Sequence, residues 1–357
     1  MKQKLTLLLT ATSLFIASCT PTAHVGDISM TPESGSNYKT GDVIRVKANY
    51  PASLKPDSVV YLLDSTKIAS KKDTSSVTIK TDSLALGPRT ITAKIYQGGK
   101  SQDDSINVNL LPAKAPEELT YVVEKRYPHD TASYTEGLLY QDGYLYESTG
   151  NEEQAEGHSK LRKVDLNTGK AVQEVKIDPK RFGEGSAIIG DKILMLTYKQ
   201  PEAAYVFDKN TFKLLKTFTN KVGVEGWGMT FDGNKIYFDD STNRIWFLDK
   251  DTYQQKGFID VFDDKGPIDK VNELEYIDGR LYSNVYTQDT ILVINPKTGA
   301  VMQRVDMKNL WPLSQRPKGF DNGENVLNGI AWDAKGKRMF VTGKKWPYLY
   351  QVKFVKK

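Results

Sequence analysis

The sequence is poor in the residues that form disulfides and zinc sites. Its 357 residues include one cysteine and three histidines, His24, His129 and His158. A single thiol cannot form an intramolecular disulfide, and zinc sites draw mainly on Cys and His ligands. The chain also lacks an excess of one charge, because 49 basic and 44 acidic residues leave a net charge of +5. Nucleic acid is therefore not an expected partner.

The apolar run Leu5–Ala17 near the amino terminus is too short to span a bilayer. Lys2 and Lys4 precede it and small residues end it, which is the pattern of a secretory signal. Its last four residues, Ile16-Ala17-Ser18-Cys19, resemble a bacterial lipobox. We expect residues 1–18 to be a signal peptide, Cys19 to be lipidated and residues 19–24 to be a tether. An ordinary signal peptide followed by an incidental cysteine is the alternative.

Lipidation of Cys19 implies attachment to a membrane of a bacterial cell envelope. The next residues, Thr20-Pro21-Thr22, lack the Asp that often retains lipoproteins in the inner membrane of some bacteria. This favours the outer membrane or the periplasmic face over the inner membrane.

The rest of the chain is long enough for two domains, with 39% hydrophobic residues available for cores. Residues 25–111 contain short alternating runs between Gly, Pro, Asp and Ser, which predict a small antiparallel β-sandwich of immunoglobulin-like type. A spacer is the expected role of this domain, and binding of a carbohydrate or a partner is the alternative. Residues 112–119, with two prolines and several charges, predict a linker.

From residue 120 to 357 a two-part pattern recurs. Its first part is typified by Gly137-Leu138-Leu139-Tyr140-Gln141-Asp142-Gly143 and its second part by Val206-Phe207-Asp208-Lys209-Asn210-Thr211. The residues that precede the first part in each copy are Glu136, Glu184, Trp227, Asn272 and Asn328. The steps between them are 48, 43, 45 and 56 residues. This period is typical of four-stranded propeller blades, so five copies predict a five-bladed β-propeller.

A stacked solenoid is the alternative, but it would expose apolar faces at both ends unless they were capped. We expect the ring to close where a strand near Thr120–Glu124 pairs with the final strand, Leu349–Phe354. The predicted fold class is therefore all-β, a five-bladed β-propeller preceded by a small sandwich.

The five residues before the inner strands should converge at one mouth of the central channel, where a site is expected. Lys344 and several aromatic residues accompany them along the sequence, and such rings attract ammonium groups. Each ring could instead pack in the core between blades. These aromatic residues are Tyr134, Phe182, Tyr198, Trp227, Tyr286, Trp311 and Trp346. Two acidic pairs, Asp239-Asp240 and Asp263-Asp264, are interpreted as solvated turns rather than metal ligands.

At this point the motifs resemble a known family. In order along Tyr121–Lys353 they are Tyr134-Thr135-Glu136-Gly137-Leu138, Tyr146-Glu147-Ser148-Thr149-Gly150, Phe182-Gly183-Glu184-Gly185, Gly226-Trp227-Gly228-Met229, Asn272-Glu273-Leu274-Glu275-Tyr276, Asn284-Val285-Tyr286, Leu327-Asn328-Gly329-Ile330-Ala331-Trp332-Asp333 and Val341-Thr342-Gly343-Lys344. This set resembles the plant and bacterial type of glutaminyl-peptide cyclotransferase. The resemblance implies a propeller enzyme that converts N-terminal glutamine of peptides or proteins to pyroglutamate and releases ammonia.

The resemblance also implies roles for individual residues. Glu184 matches the essential acidic residue of the family, and we expect it to shuttle the proton. Asn272, Trp227 and Lys344 are the expected donors to the developing oxyanion. Asn328 is expected to anchor the substrate main chain. The residues expected to bind the substrate are Tyr134, Glu136, Phe182, Tyr198, Tyr286 and Asn328. No cofactor is expected for catalysis, although a structural divalent ion in the channel is compatible with the fold, and the protein is expected to be a monomer.

Two departures from the family stand in the site. Glu136 stands where the family often has Gln, and Tyr198 and Tyr286 stand where it has Trp. The second carboxylate could hold the substrate ammonium or raise the pKa of Glu184. Two other functions stay open: a propeller lipoprotein that binds a peptide or glycan at the same mouth without catalysis, and a metal-dependent lactonase-like propeller.

Overall fold

The computed structural model describes residues 28–150, 159–199 and 203–357, which form β-strands, turns and one short 3₁₀ helix, Leu313–Gln315. The predicted signal peptide, the lipidation site Cys19 and the tether to residue 24 lie outside the described residues. No helix within the described ranges is long and apolar enough to cross a bilayer.

The amino-terminal part is a sandwich of two sheets. Its strands are β1 (Ser29–Thr31), β2 (Ser36–Lys39), β3 (Val43–Asn49), β4 (Ser58–Leu63), β5 (Thr66–Lys71), β6 (Val77–Lys80), β7 (Gly87–Gln97) and β8 (Lys100–Leu111). One sheet has the strand order β1-β3-β6 and the other β2-β8-β7-β4-β5. Alternating inward residues from both sheets, such as Val46 and Val59, form one core, and the Tyr61 hydroxyl accepts a hydrogen bond from the Ala48 N–H at 2.9 Å.

Three of these strands are not evident in the sequence pattern, namely β1, β2 and β5. They are short or carry mostly polar residues, so they give little periodic signal. Strand β2 also pairs in parallel with β8, which differs from the expected antiparallel arrangement.

Over the remaining described residues the chain forms five four-stranded blades, which confirms the predicted propeller. The blades comprise residues 135–176, 183–219, 229–260 and 271–306, and the last combines 327–356 with 117–128. The inner strand of each blade contacts the inner strand of the next, and that of the last blade contacts that of the first, so the ring is closed. A two-stranded hairpin, β22 (Phe262–Asp263) and β23 (Gly266–Pro267), lies between the third and fourth blades.

The strands of the first two blades are β10 (Thr135–Gln141), β11 (Tyr144–Thr149), β12 (Lys160–Asp165), β13 (Ala171–Lys176), β14 (Gly183–Ile189), β15 (Lys192–Thr197), β16 (Ala203–Asp208) and β17 (Leu214–Thr219). The strands of the other three are β18 (Met229–Phe231), β19 (Lys235–Asp239), β20 (Arg244–Asp249), β21 (Gln255–Asp260), β24 (Val271–Ile277), β25 (Arg280–Val285), β26 (Thr290–Ile294), β27 (Val301–Asp306), β28 (Leu327–Asp333), β29 (Arg338–Gly343), β30 (Tyr348–Lys356) and β9 (Glu117–Pro128).

The ring closes as the sequence predicts. Strand β9 forms the outer strand of the last blade and pairs antiparallel with β30, with Tyr121 opposite Phe354. It also pairs in parallel with β27 of the fourth blade, with Glu117 opposite Gln303. Because the two ends of the domain are joined in one blade, the ring cannot open without breaking a long strand pair.

The second part of the repeat is a turn between the two outer strands of a blade. In the first blade Asp165 Oδ1 accepts hydrogen bonds from the N–H and the hydroxyl of Thr168, at 2.9 and 2.8 Å. The second and third blades repeat these bonds between Asp208 and Thr211 and between Asp249 and Thr252. The Asp-Xaa-Xaa-Thr signal therefore recurs because the same side-chain bonds hold each turn.

Candidate active site

The five residues predicted to converge do lie at the start of the inner strands. Four of the five strands carry a register shift there, between Thr135 and Gly137 in β10 and at the matching points of β14, β24 and β28. A bulge of this kind removes a residue from strand pairing and redirects its side chain. The residues placed in or beside these bulges are Glu136, Glu184, Asn272 and Asn328, and Trp227 stands just before β18.

Glycines beside these positions let the inner strands approach one another closely. A Cβ on Gly185 would lie 2.4 Å from the Trp227 carbonyl oxygen, and one on Gly228 would lie 2.4 Å from the Asn272 carbonyl oxygen. Backbone therefore packs on backbone around the narrow channel, and this packing brings residues of successive blades together at its mouth.

A buried ion pair joins the first and last blades. Lys344 Nζ lies 2.8 Å from Glu136 Oε1, and both side chains are almost fully buried. Asn328 Nδ2 donates to Glu136 Oε2 at 3.2 Å and to the Thr135 carbonyl oxygen at 2.9 Å. Burial raises the pKa of Glu136 to about 7, although the Lys344 ammonium acts to lower it. Asn328 is thus placed to hold Glu136.

Glu184 is a second buried carboxyl, from the neighbouring blade. Burial raises the pKa of Glu184 well above its ordinary value, and the negative charge of Glu136 raises it further, while Lys344 opposes both effects. Asp239 and Glu225 add smaller contributions in the same direction as burial. A carboxyl whose pKa is raised in this way is suited to gain and to lose a proton during a reaction.

Aromatic rings surround the two carboxyls. The ring centroids of Tyr134 and Phe182 are 6.0 Å apart, as are those of Phe182 and Tyr198. Trp227 and Tyr286 form an edge-on pair at 5.5 Å. These rings form a partly exposed wall at the mouth, and their role in binding the substrate stays a prediction.

The ammonium that these rings contact is the protein's own. Lys344 Nζ lies 4.5 Å from the centroid of Tyr134 and 5.3 Å from that of Tyr286. Among the described residues, Glu136 is the one hydrogen-bond acceptor of Lys344, so two of its three N–H donors remain for a ligand.

Glu324 belongs to the site although the sequence did not suggest it. Its Oε2 accepts hydrogen bonds from the hydroxyls of Tyr134 and Tyr286, each at 3.2 Å. Burial raises the pKa of Tyr134 above its usual range and that of Tyr286 to about 12, so both remain donors. Glu324 lies in the loop before β28 and belongs to no repeat, so no pattern could identify it.

Deeper in the channel lie two further carboxyls from the fourth blade. Glu273 accepts hydrogen bonds from the N–H groups of Leu138 and Ile330, at 3.2 and 2.8 Å, and so connects three blades. Glu275 accepts one from the Trp332 N–H at 3.0 Å. Burial raises the pKa of both groups, that of Glu275 to about 8. The alternation of Glu273 and Glu275 on an inner strand was the signal that could have revealed them.

Asn272 and Trp227 present groups that have no partner within the described residues. The Asn272 side chain is buried, and its Oδ1 accepts no hydrogen bond. The Trp227 indole N–H donates none, and the ring is half-buried beside Tyr286. Both polar groups are therefore available to a ligand in the mouth.

Two expectations from the sequence are wrong. Trp311 and Trp346 do not line the mouth but pack together in the core, with ring centroids 5.5 Å apart, and the Trp346 indole donates to the Asn325 carbonyl oxygen. The acidic pairs are not fully solvated turns either, because three of their residues are buried. Asp239 accepts from the Gly228 N–H, Asp240 from the Trp246 indole and Asp263 from Arg304.

The described residues contain no group of three or more His, Cys, Asp or Glu side chains arranged to hold a metal ion.

Comparisons with known proteins identify the family of this chain. Residues 92–354 match the family model described as glutamine cyclotransferase. A glutaminyl-peptide cyclotransferase of Arabidopsis thaliana is 34% identical over 258 residues, which are 71% of this chain and 74% of that protein. The crystal structure of a glutaminyl cyclase of Myxococcus xanthus is similar with a TM-score of 0.60 and 28% identity, covering 67% of this chain and 98% of that one.

Proposed function

The chain belongs to the glutamine cyclotransferase family and converts N-terminal glutamine to pyroglutamate with release of ammonia; we propose that Glu184 carries the proton in this reaction. The observation that carries the proposal is that only one of the two buried carboxyls, Glu136 and Glu184, forms an ion pair within the described residues. Lys344 pairs with Glu136, whereas Glu184 has a raised pKa and no ion-pair partner within the described residues. Glu184 is thus the carboxyl suited to gain and lose a proton.

The reaction needs two proton movements and one oxyanion. The substrate α-amine attacks the carbon of its own side-chain carboxamide, a C–N bond forms, and the nitrogen gives a proton to the Glu184 carboxylate. The tetrahedral intermediate then expels the amide nitrogen, which takes that proton from Glu184 and leaves as ammonia. One carboxyl near both nitrogens serves both transfers, and the enzyme returns to its starting state.

Three groups support the developing oxyanion. The free N–H donors of Lys344 and the Trp227 indole N–H lie at the mouth in which the carboxamide would lie, and Asn272 would contribute its Nδ2 N–H group, because its unpartnered Oδ1 can only accept. Fixed donors in a buried site stabilise negative charge at little reorganisation cost, and one such donor contributes about 10²–10³ in rate.

The aromatic wall would enclose the glutamine side chain in the folded conformation needed for attack. Intramolecular reactions gain much of their rate from orientation, so a tight wall is an effective catalyst for this substrate. The Nδ2 group of Asn328 is engaged with Glu136 and Thr135, so we assign it to positioning Glu136. The Oδ1 of Asn328 has no partner within the described residues and is the atom that would accept from the substrate main chain.

These groups supply the proton transfer and the oxyanion donors that the chemistry requires, so we propose a reaction that depends on no metal ion. The test is ammonia release from glutaminyl dipeptides by the full chain, with and without chelator. Glu184→Gln keeps the shape of the side chain but removes the proton exchange, and we expect it to lower kcat by at least about 10³.

Glu118→Gln is the matched control, because Glu118 is an exposed carboxylate on the outer strand β9. It should behave as the parent does. Retained ammonia release in Glu184→Gln would reject the proposed shuttle. A folded parent that binds the peptides but releases no ammonia would support the non-catalytic alternative, and loss of activity in chelator would reject metal independence.

A further inference from the structure

The carboxylate of Glu324 stands at the exposed rim of the mouth, and the site itself fixes it in place. Hydrogen bonds from Tyr134 and Tyr286, both 3.2 Å long, end on its Oε2. Both donors are site residues whose rings also contact Lys344. A surface carboxylate held by two phenols has lost most of its side-chain freedom and presents its charge at a fixed point.

This charge is not balanced locally. Among the described residues no basic side chain forms an ion pair with Glu324, since Lys344 pairs with Glu136 instead. None of the described residues donates a hydrogen bond to Glu324 Oε1. One oxygen of a fixed anion therefore remains open toward solvent at the rim.

The direction in which a bound peptide must run places its second residue near this anion. Glu136 and Glu184 are buried, so the reacting amine and carboxamide lie at the bottom of the mouth. Tyr134 and Tyr286 form the wall above them, and Glu324 lies beyond these two rings at the surface. The chain that follows the glutamine would therefore leave through the mouth, whose rim carries Glu324.

On the basis of the proposed function, we propose that Glu324 selects substrates, so that peptides with a cationic residue after the N-terminal glutamine are preferred over those with an acidic one. Attraction to Lys and repulsion of Glu would each change kcat/KM by about threefold in a partly solvated pair. The ratio between the two substrates should therefore be about tenfold.

The experiment compares ammonia release from three peptide amides, Gln-Lys-Ala, Gln-Ala-Ala and Gln-Glu-Ala, by the full chain. Three variants are compared with the parent. Glu324→Gln removes the charge and keeps an acceptor oxygen, Tyr286→Phe removes one of the two bonds that fix the carboxylate, and Glu118→Gln removes an exposed carboxylate elsewhere. The ratio of kcat/KM for the Lys and Glu peptides is independent of the folded fraction of each variant.

We expect a ratio of about ten in the parent and in Glu118→Gln, about one in Glu324→Gln, and an intermediate value in Tyr286→Phe. Added salt should lower the parent ratio and leave that of Glu324→Gln unchanged. Equal rates on all three peptides, or a ratio that persists in Glu324→Gln, would overturn the selection by Glu324 and leave the proposed function standing. No ammonia from any peptide would overturn the proposed function and this inference with it.

Discussion

Replacing Lys344 by methionine removes the ammonium group that lowers the pKa of the two buried carboxyls, Glu136 and Glu184. The Nζ and Oε1 atoms of the pair are 2.8 Å apart, so their attraction is about 6 kcal/mol at an effective dielectric constant of about 20, before desolvation is subtracted. Removing one partner of a buried pair costs about 3–5 kcal/mol, because the carboxyl that is left must either stay charged without a partner or hold a proton that the unfolded chain releases. We expect this loss in the free energy of unfolding of Lys344→Met at pH 7.

Glu136→Gln provides the second arm of a double-mutant cycle. The double variant, Lys344→Met with Glu136→Gln, buries no unpaired charge, so it should recover most of the stability lost in Lys344→Met. It should not recover activity, because the oxyanion donor is still absent, and kcat should stay about 10²-fold below the parent. Urea unfolding and ammonia release on the four proteins measure the two effects separately.

The pH dependence of Lys344→Met follows from the same pair. Burial already raises the pKa of Glu136 to about 7 from an ordinary value of 4.5, and loss of Lys344 removes the group that lowers it. The folded variant then holds a proton that the unfolded chain releases, so its stability falls as pH rises from about 4.5 to 7 and beyond. The destabilisation should be larger at pH 8 than at pH 5. Additive losses across the cycle, with no recovery in the double variant, would refute the reasoning.

Two other predictions concern the proton shuttle and the packing around the channel. Burial and the charge of Glu136 raise the pKa of Glu184, so kcat/KM should fall with acidification already well above pH 4.5. Glu136→Gln removes one of these causes and should move the fall in kcat/KM to lower pH. A movement to higher pH would contradict the assignment of Glu184. Gly185→Ala should lower the free energy of unfolding by about 3 kcal/mol, since its Cβ would lie 2.4 Å from the Trp227 carbonyl oxygen. Gly323→Ala, whose Cβ would meet nothing closer than 3.4 Å, is the control in thermal unfolding, and equal losses in the two variants would count against the packing argument.

The propeller was predictable because its signals are local and repeated. The Asp-Xaa-Xaa-Thr turns use the same bonds in successive blades, and the spacing of the inner strands follows from four strands in each blade. The set of five residues that precede the inner strands, from Glu136 to Asn328, was predictable for the same reason, since equivalent positions of a closed ring meet at one end. The family motifs lie on these inner strands and on the second strands β11, β25 and β29 beside them, and the comparisons confirm the family and the reaction.

Features that do not recur along the chain could not be predicted from the sequence. The strands β1, β2 and β5 are too short or too polar to give a pattern, and Trp311 and Trp346 could not be divided between pocket and core by residue type. The acidic pairs suggested solvated turns, but partners distant in the chain, such as Trp246 for Asp240 and Arg304 for Asp263, allow their burial.

The sequence by itself determined the all-β class, the five blades, the closing strand and the set of polar residues at the mouth, because each depends on spacing along the chain. Only the tertiary structure decided how those residues pair. It placed Lys344 between Tyr134 and Tyr286 against Glu136 and left Glu184 without a partner cation among the described residues. It also brought Glu324 onto two tyrosines that precede it by 190 and 38 positions. Such contacts depend on how the blades face one another across the ring, and no local period records that arrangement.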